Sequence, residues 1–175
     1  MKKVNIGFGK EIVNLQKTNP TWNSKMAAKQ IYDNLDALPQ EHIKLVSKYS
    51  IDTYQDFVDA GHPKAAGWYD EYTKVVHIQW AYASRHALYH EIGHAVYYGL
   101  SCKEMDMWYS WWEQAKAGMM KFPTDYALMN AAEFFAECYG WYWEKAWYPG
   151  FLDKKTIQWF DRKMKRWFPH LYEEN

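Results

Sequence analysis

The amino-acid sequence predicts one α+β domain that is mainly helical and carries one small sheet. Helical spacing of apolar residues covers most of the chain, whereas residues typical of strands are concentrated in a hairpin-like run over 67–80. No Gly/Ser-rich linker, repeat or low-complexity segment divides the 175 residues, so 1–175 is expected to form a single domain. A chain of this length buries roughly 70% of the surface that it exposes when unfolded, which is enough for one core.

Eight elements are expected along the chain. In order, they are a helix over 24–38, a helix over 39–47, a strand over 51–57, a hairpin over 67–80, helices over 83–100, 105–120 and 130–148, and a last helix over 153–168. The turn sequence Asp59-Ala60-Gly61-His62-Pro63 separates the first strand from the hairpin. The turn of the hairpin itself is expected over 70–73, so its second arm covers 74–80.

Breaks and caps divide the C-terminal half into helices. Phe122-Pro123 interrupts one helical pattern, and Asn130 is expected to open the next. That helix is expected to end near Tyr148-Pro149-Gly150, and Asp153 is expected to cap the last one. The strand arm 74–80 directly precedes the helix over 83–100, and we expect it to form the edge of the small sheet.

The composition argues against polyanionic and lipid partners. The chain has 21 basic and 21 acidic residues, so no net field attracts nucleic acid or an anionic membrane surface. No apolar run approaches the roughly 18 residues of a membrane span. Segment 1–11 begins like a signal peptide but reaches Lys10-Glu11 before any apolar core. We therefore expect a cytoplasmic protein, and secretion only if a signal has been removed.

The sequence His90-Glu91-Ile92-Gly93-His94 places two imidazoles and a carboxylate on one expected helix. Residues four apart lie one turn apart and about 40° around a helix, so both histidines can reach one metal ion. Glu91 points roughly 100° away and can lean over an open coordination position, as the general base of a zinc hydrolase does. The alternative interpretation is a surface helix with scattered histidines, since the chain contains seven.

The sequence Glu133-Phe134-Phe135-Ala136-Glu137 supplies carboxylates on a second apolar helix. A catalytic zinc takes three protein ligands and keeps one position open, so we predict Glu133 as the third ligand. Asn130 and Glu133 also have the spacing of a capping box, which is the competing interpretation. Glu137 lies one turn further on the same face, and we predict that it orients a histidine ring. The alternative interpretation of Glu137 is a carboxylate on the solvated face of the helix.

Two further histidines are not expected to be ligands. His86 lies one turn before His90. Residues 86, 90 and 94 span about 12 Å along the helix, so their three side chains cannot all contact one metal ion. His86 is therefore expected behind the site or in packing. His77 lies on the strand arm and is expected to be exposed, with a substrate-facing role as the alternative.

Together these residues resemble the zinc metallopeptidases typified by the catalytic domain of anthrax lethal factor and by the secreted bacterial Pro-Pro endopeptidases. The likeness rests on the two motifs and on Tyr126, seven residues before Glu133, and covers most of the chain from about residue 24. The resemblance implies a zincin-like fold and one Zn²⁺ per chain, held by His90, His94 and Glu133. It also implies that Tyr126 faces the metal and assists catalysis with its hydroxyl.

The expected function is that of a zinc-dependent endopeptidase acting on extended peptide or protein substrates, with water activated by Glu91. The substrate is expected to pair with the edge of the sheet beside 74–80. Aromatic residues form 19% of the chain and suit proline-containing peptides. One alternative is an intracellular HExxH regulatory protease with a different third ligand. Another is a catalytically idle binding module, against which the intact Glu91 argues.

Overall fold

The computed structural model describes residues 4–9, 24–144 and 151–167. The helices in these ranges are α1 (Ser24–Leu35), α2 (Gln40–Ile43), α3 (Tyr54–Asp59), α4 (Arg85–Tyr97), α5 (Cys102–Lys116), α6 (Ala131–Glu144) and α7 (Lys154–Trp167). The strands are β1 (Ile6–Phe8), β2 (Lys48–Asp52), β3 (Gly67–Asp70) and β4 (Val75–Gln79). Short 3-10 turns cover Trp80–Tyr82 and Asp125–Leu128. The prediction of a mainly helical α+β protein with one small sheet is confirmed.

The four strands form one sheet in the order β1-β2-β4-β3. The pairs β1–β2 and β2–β4 are parallel, and β3–β4 is the antiparallel hairpin. The strand that precedes α4 is therefore an interior strand, and the prediction that it forms the sheet edge is wrong. The edge on that side is β3, the first arm of the hairpin. Val76 and Ile78 of β4 are almost fully buried, as suits a strand with a partner on each side.

The boundaries near residue 53 also differ from expectation. The strand expected over 51–57 is β2, which ends at Asp52, and the chain then turns into α3. Thr53 and Asp56 form a capping box in which each side chain accepts from the other's backbone N–H. The two bonds satisfy orphan N–H groups at the helix start, which outweighs the strand propensity of Tyr54 and Phe57.

Some other boundaries lie close to the expected ones, and others differ. The hairpin turn lies over 71–74, and Asp153 accepts a hydrogen bond from the Lys155 N–H at the start of α7. The expected helix over 39–47 is only the four-residue α2. The predicted end of α6 at 148–150 and the last residue of the final helix, Phe168, lie outside the described residues.

Helices α4 and α6 pack directly against each other at the centre of the molecule. A Cβ built on Gly93 would lie 2.9 Å from the Ala136 Cα, so the two backbones touch at this point. Trp108 of α5 is fully buried and contacts the rings of Phe134, Phe135, Trp159 and Phe160. This aromatic core holds α6 in place against α4. In the described part of the chain, no helix has the length and apolar character needed to cross a membrane.

Candidate metal centre

The first half of the site is helix α4, which carries both motif histidines. Ser84 caps its start by accepting a hydrogen bond from the Ala87 N–H at 3.0 Å. His90 and His94 lie one turn apart, and their Nε2 atoms are 3.1 Å from each other. His90 is buried and His94 is half-buried. The spacing in the sequence thus brings two imidazole nitrogens to one point.

The second half is the start of α6, where Asn130 and Glu133 act together. Asn130 Oδ1 accepts a hydrogen bond from the Glu133 N–H at 2.9 Å and caps the helix. The Glu133 carboxylate faces the histidines instead: its Oε2 lies 3.0 Å from His90 Nε2 and 3.3 Å from His94 Nε2. The two interpretations of Glu133 are therefore compatible, because its backbone serves the cap and its side chain serves the site.

The three converging atoms fit a zinc ion. Ligand bonds of about 2.0–2.1 Å in tetrahedral geometry place neighbouring ligand atoms roughly 3.3 Å apart. The separations here are 3.0, 3.1 and 3.3 Å. Glu133 Oε2 is buried and lies close to both histidine nitrogens without hydrogen-bond geometry, and a metal ion between the three atoms would satisfy it. Two imidazoles and one carboxylate are also a donor set that catalytic zinc uses.

The charges around His90 favour a cation at this point. Burial alone would lower the pKa of His90, but its contacts with Glu133 and Glu137 raise that pKa to about 10. Burial likewise opposes ionisation of Glu133, yet the two histidines lower its pKa to about 2. Hydrogen bonds also hold the pKa of Glu137 well below its usual range, against the effect of burial. Both carboxylates are therefore ionised at neutral pH and draw positive charge between them.

Glu91 lies beside the three converging atoms, between α4 and strand β3. A Cβ built on Gly67 would lie 2.8 Å from the Glu91 Cγ and 3.0 Å from its Oε1, so this side chain reaches the edge strand. Glu91 is buried, and burial raises its pKa above the usual value. A carboxyl group with a raised pKa suits a general base that works near neutral pH.

Tyr126 reaches the site from the 3-10 turn Asp125–Leu128. Its ring lies 5.9 Å from the ring of His90. Half of the side chain is exposed. Burial and nearby carboxylates, of which Glu133 contributes most, raise its pKa to about 12. The hydroxyl therefore stays protonated at neutral pH and can donate a hydrogen bond.

Glu137 lies behind His90, at the position predicted for a carboxylate that orients the ring. Its Oε1 lies 2.9 Å from His90 Nδ1 and 3.3 Å from His86 Nε2. Its Oε2 accepts a hydrogen bond of 2.8 Å from the Thr124 hydroxyl. His86 Nδ1 in turn lies 3.1 Å from the Glu144 carboxylate. Sequence reasoning missed Thr124, which no spacing rule indicates, and Glu144, whose position two turns after Glu137 on the same face was the available signal.

His86, His90 and Glu137 form a second group whose atoms are close enough to hold a metal. This group would use His90 Nδ1, whereas the first uses Nε2. The rings of His86 and His90 lie 6.4 Å apart between their centroids, whereas those of His90 and His94 lie 4.8 Å apart. The group of His90, His94 and Glu133 is therefore the better fit for a single zinc ion.

His77 belongs to another part of the fold. Its ring stacks on Trp68 at 4.3 Å, and its Nδ1 lies 2.6 Å from the buried Asp52 carboxylate. The expected exposed histidine is thus half-buried and has a carboxylate partner. The structure does not bring it to the metal centre.

Comparison with known proteins does not identify a family for this chain. No protein-family model matches the chain, and no curated protein matches it at a significant level. What the chain does must be inferred from the side chains described above.

Proposed function

We propose that this protein is a zinc-dependent endopeptidase with a zincin-like fold. The observation that carries the proposal is the convergence of His90 Nε2, His94 Nε2 and Glu133 Oε2 within 3.0–3.3 Å of one another. Glu91 lies beside this point as a candidate general base, and Tyr126 lies beside it as a candidate hydrogen-bond donor. A binding module needs no buried carboxyl group beside such a site, whereas a hydrolase does.

Each side chain has a distinct part in the proposed peptide hydrolysis. Zinc held by the two histidines and Glu133 supplies Lewis acidity to the scissile carbonyl and to water. Glu91 accepts the proton of the attacking water and returns it to the leaving amine. The Tyr126 hydroxyl donates a hydrogen bond to the developing oxyanion, a contribution of roughly 3 kcal/mol for a typical donor of this kind. Glu137 holds the His90 ring by its other nitrogen.

The substrate would lie along β3, because that strand is the sheet edge nearest to Glu91. An edge strand offers unpaired N–H and C=O groups, with which an extended peptide can pair. Exposed side chains of Tyr98, Tyr126 and Met129 lie on the helix ends and the loop around the site. This apolar surface suits peptides with proline or bulky apolar residues near the cut.

Metal analysis combined with a peptide-library digest tests the proposal. We expect about one zinc per chain, and loss of both zinc and cleavage on treatment with a chelator. Glu91→Gln should keep the zinc and lower kcat by about 10² to 10⁴-fold, because the water loses its proton acceptor. Glu113→Gln makes the same chemical change on the exposed face of α5 and should leave both properties unchanged.

Two results would contradict the proposal. The first is a chain that binds no zinc after reconstitution with excess metal. The second is a zinc-loaded chain in which Glu91→Gln cleaves peptides as fast as the wild type. A library digest without enrichment of proline or apolar residues would contradict only the substrate preference.

A further inference from the structure

Thr124 stands at the start of the turn that carries Tyr126. Its hydroxyl accepts a hydrogen bond from the Ala127 N–H at 3.3 Å and so caps the 3-10 turn Asp125–Leu128. The same N–H also donates to the Thr124 carbonyl oxygen at 3.1 Å, so the backbone and the side chain of Thr124 both hold the start of this short turn. The hydroxyl therefore contributes to the position of the Tyr126 ring.

The same hydroxyl also contacts the carboxylate behind His90. It donates to Glu137 Oε2 at 2.8 Å, while Glu137 Oε1 lies 2.9 Å from His90 Nδ1. A hydroxyl has one hydrogen to donate and two lone pairs to accept with, so both bonds exist together. One side chain thus joins the Tyr126 turn to the residue that orients a metal ligand.

The far end of the turn is held separately. Trp112 of α5 donates from Nε1 to the Leu128 carbonyl oxygen at 3.0 Å. This bond supports the turn but involves neither Glu137 nor His90. The two attachments can therefore be removed one at a time.

We propose that Thr124 is a positioning residue that sets the Tyr126 hydroxyl and the His90 ring relative to each other. The inference rests on the proposed function, because it concerns two groups of that site. Thr124 itself touches neither the metal ligands' Nε2 atoms nor a substrate; it acts through the turn and through Glu137.

Three substitutions in the full chain test this role, and a fourth serves as the control. Thr124→Val keeps the shape but deletes the hydroxyl; it should lower kcat by about 10- to 100-fold and weaken zinc affinity by about 10-fold, with little change in KM. Thr124→Ser keeps the hydroxyl and should restore both to within about 3-fold of the wild type. Trp112→Phe should lower kcat but leave zinc affinity unchanged, since it loosens the turn alone.

Thr53→Val is the matched control for lost stability. The Thr53 hydroxyl also caps a helix and donates to a carboxylate, that of Asp56 at 2.9 Å. This variant should lose stability as Thr124→Val does, while its kcat and zinc affinity remain those of the wild type.

The outcomes separate this inference from the proposed function. A wild-type chain that cleaves peptides and binds zinc, with Thr124→Val unchanged in both, overturns the role of Thr124 alone. Equal losses in Thr124→Val and Thr124→Ser also overturn it, because the hydroxyl would not be the cause. A wild-type chain that binds no zinc overturns the proposed function and this inference together.

Discussion

Glu133 and Glu137 lie one turn apart on α6 and approach His90 from its two nitrogens. Glu133→Ala removes one of the three converging oxygen and nitrogen atoms, so we expect zinc affinity and activity to fall together, by more than 100-fold. Glu137→Gln keeps a hydrogen-bonding group behind Nδ1, so zinc affinity should fall by only about 10- to 100-fold. Competition with a chromophoric chelator measures both affinities.

The reverse result has a definite structural meaning. If Glu137→Gln strips the zinc and Glu133→Ala does not, the metal belongs to the group formed by His86, His90 and Glu137. Glu133 would then serve only the start of α6, where its N–H already bonds Asn130.

Single residues differ in how far the sequence could reveal them. The one-turn spacing of His90 and His94 follows from helix geometry, so the meeting of their Nε2 atoms was predictable. Glu133 was predicted because two histidine ligands need a third partner, although a capping box with Asn130 also explains its spacing. Thr124 was not predictable, since its bond to Glu137 spans 13 residues across an irregular turn and leaves no periodic signal.

The contact between α4 and α6 sets the distance between the two histidines and Glu133. A Cβ on Gly93 would lie 2.9 Å from the Ala136 Cα and 3.2 Å from its carbonyl oxygen, and both are backbone atoms that cannot rotate away. Gly93→Ala should therefore push the helices apart. Helix propensity alone would favour alanine by about 1 kcal/mol, but overpacking of this kind costs about 1–3 kcal/mol.

We expect Gly93→Ala to lower the free energy of unfolding by up to about 2 kcal/mol and to weaken zinc binding, because the proposed ligands lie on both helices. Urea unfolding and chelator competition measure the two effects. Gly99→Ala is the control: it lies just beyond the same helix, and its Cβ would meet only the Val96 and Ala95 carbonyl oxygens, at 3.3 and 3.7 Å. Zinc affinity equal to that of the wild type in Gly93→Ala would show that the close approach does not set the site.

The elements themselves were predicted better than their partners. The hairpin over 67–80 was recognisable from its composition and turn, and α4 and α6 from their apolar spacing. Which arm of the hairpin pairs with β2 depends on a contact between distant segments, such as Ser50 with His77. Local sequence carries no information about that choice, which is why the edge strand was assigned to the wrong arm.

At the scale of the whole molecule, the buried polar groups make stability depend on pH. His42 of α2 is buried, and its Nδ1 lies 2.8 Å from the Tyr139 hydroxyl of α6. Burial lowers the pKa of His42 from 6.5 to about 3, so the folded protein keeps this ring neutral. The unfolded chain takes up a proton at His42 below about pH 6.5.

The sign of the effect follows from proton binding. Between pH 6.5 and about 3 the unfolded state holds a proton at His42 that the folded state lacks, so stability falls as the pH falls, by at most about 1.4 kcal/mol per pH unit. Glu133 has a lowered pKa and loses its stabilising effect only below its usual value of 4.5. The raised pKa of His90 has its effect in the alkaline range, where stability is lost as the pH rises from 6.5 towards 10.

Between pH 5.0 and 6.5 Glu133 and His90 change little, but burial raises the pKa of Glu91, which therefore stabilises the folded state as the pH falls and opposes the effect of His42. Integrated over that window, the loss of wild-type stability attributable to His42 is roughly 1.5 kcal/mol. Urea unfolding of the metal-free chain measures this contribution as a difference: between pH 6.5 and 5.0 we expect the free energy of unfolding to change less favourably in the wild type than in His42→Gln, by about that amount. His62→Gln replaces an exposed ring and should keep the wild-type dependence. If wild type and His42→Gln lose the same free energy between these two pH values, the folded protein must accept a proton at His42, and the α2–α6 contact must open to admit it.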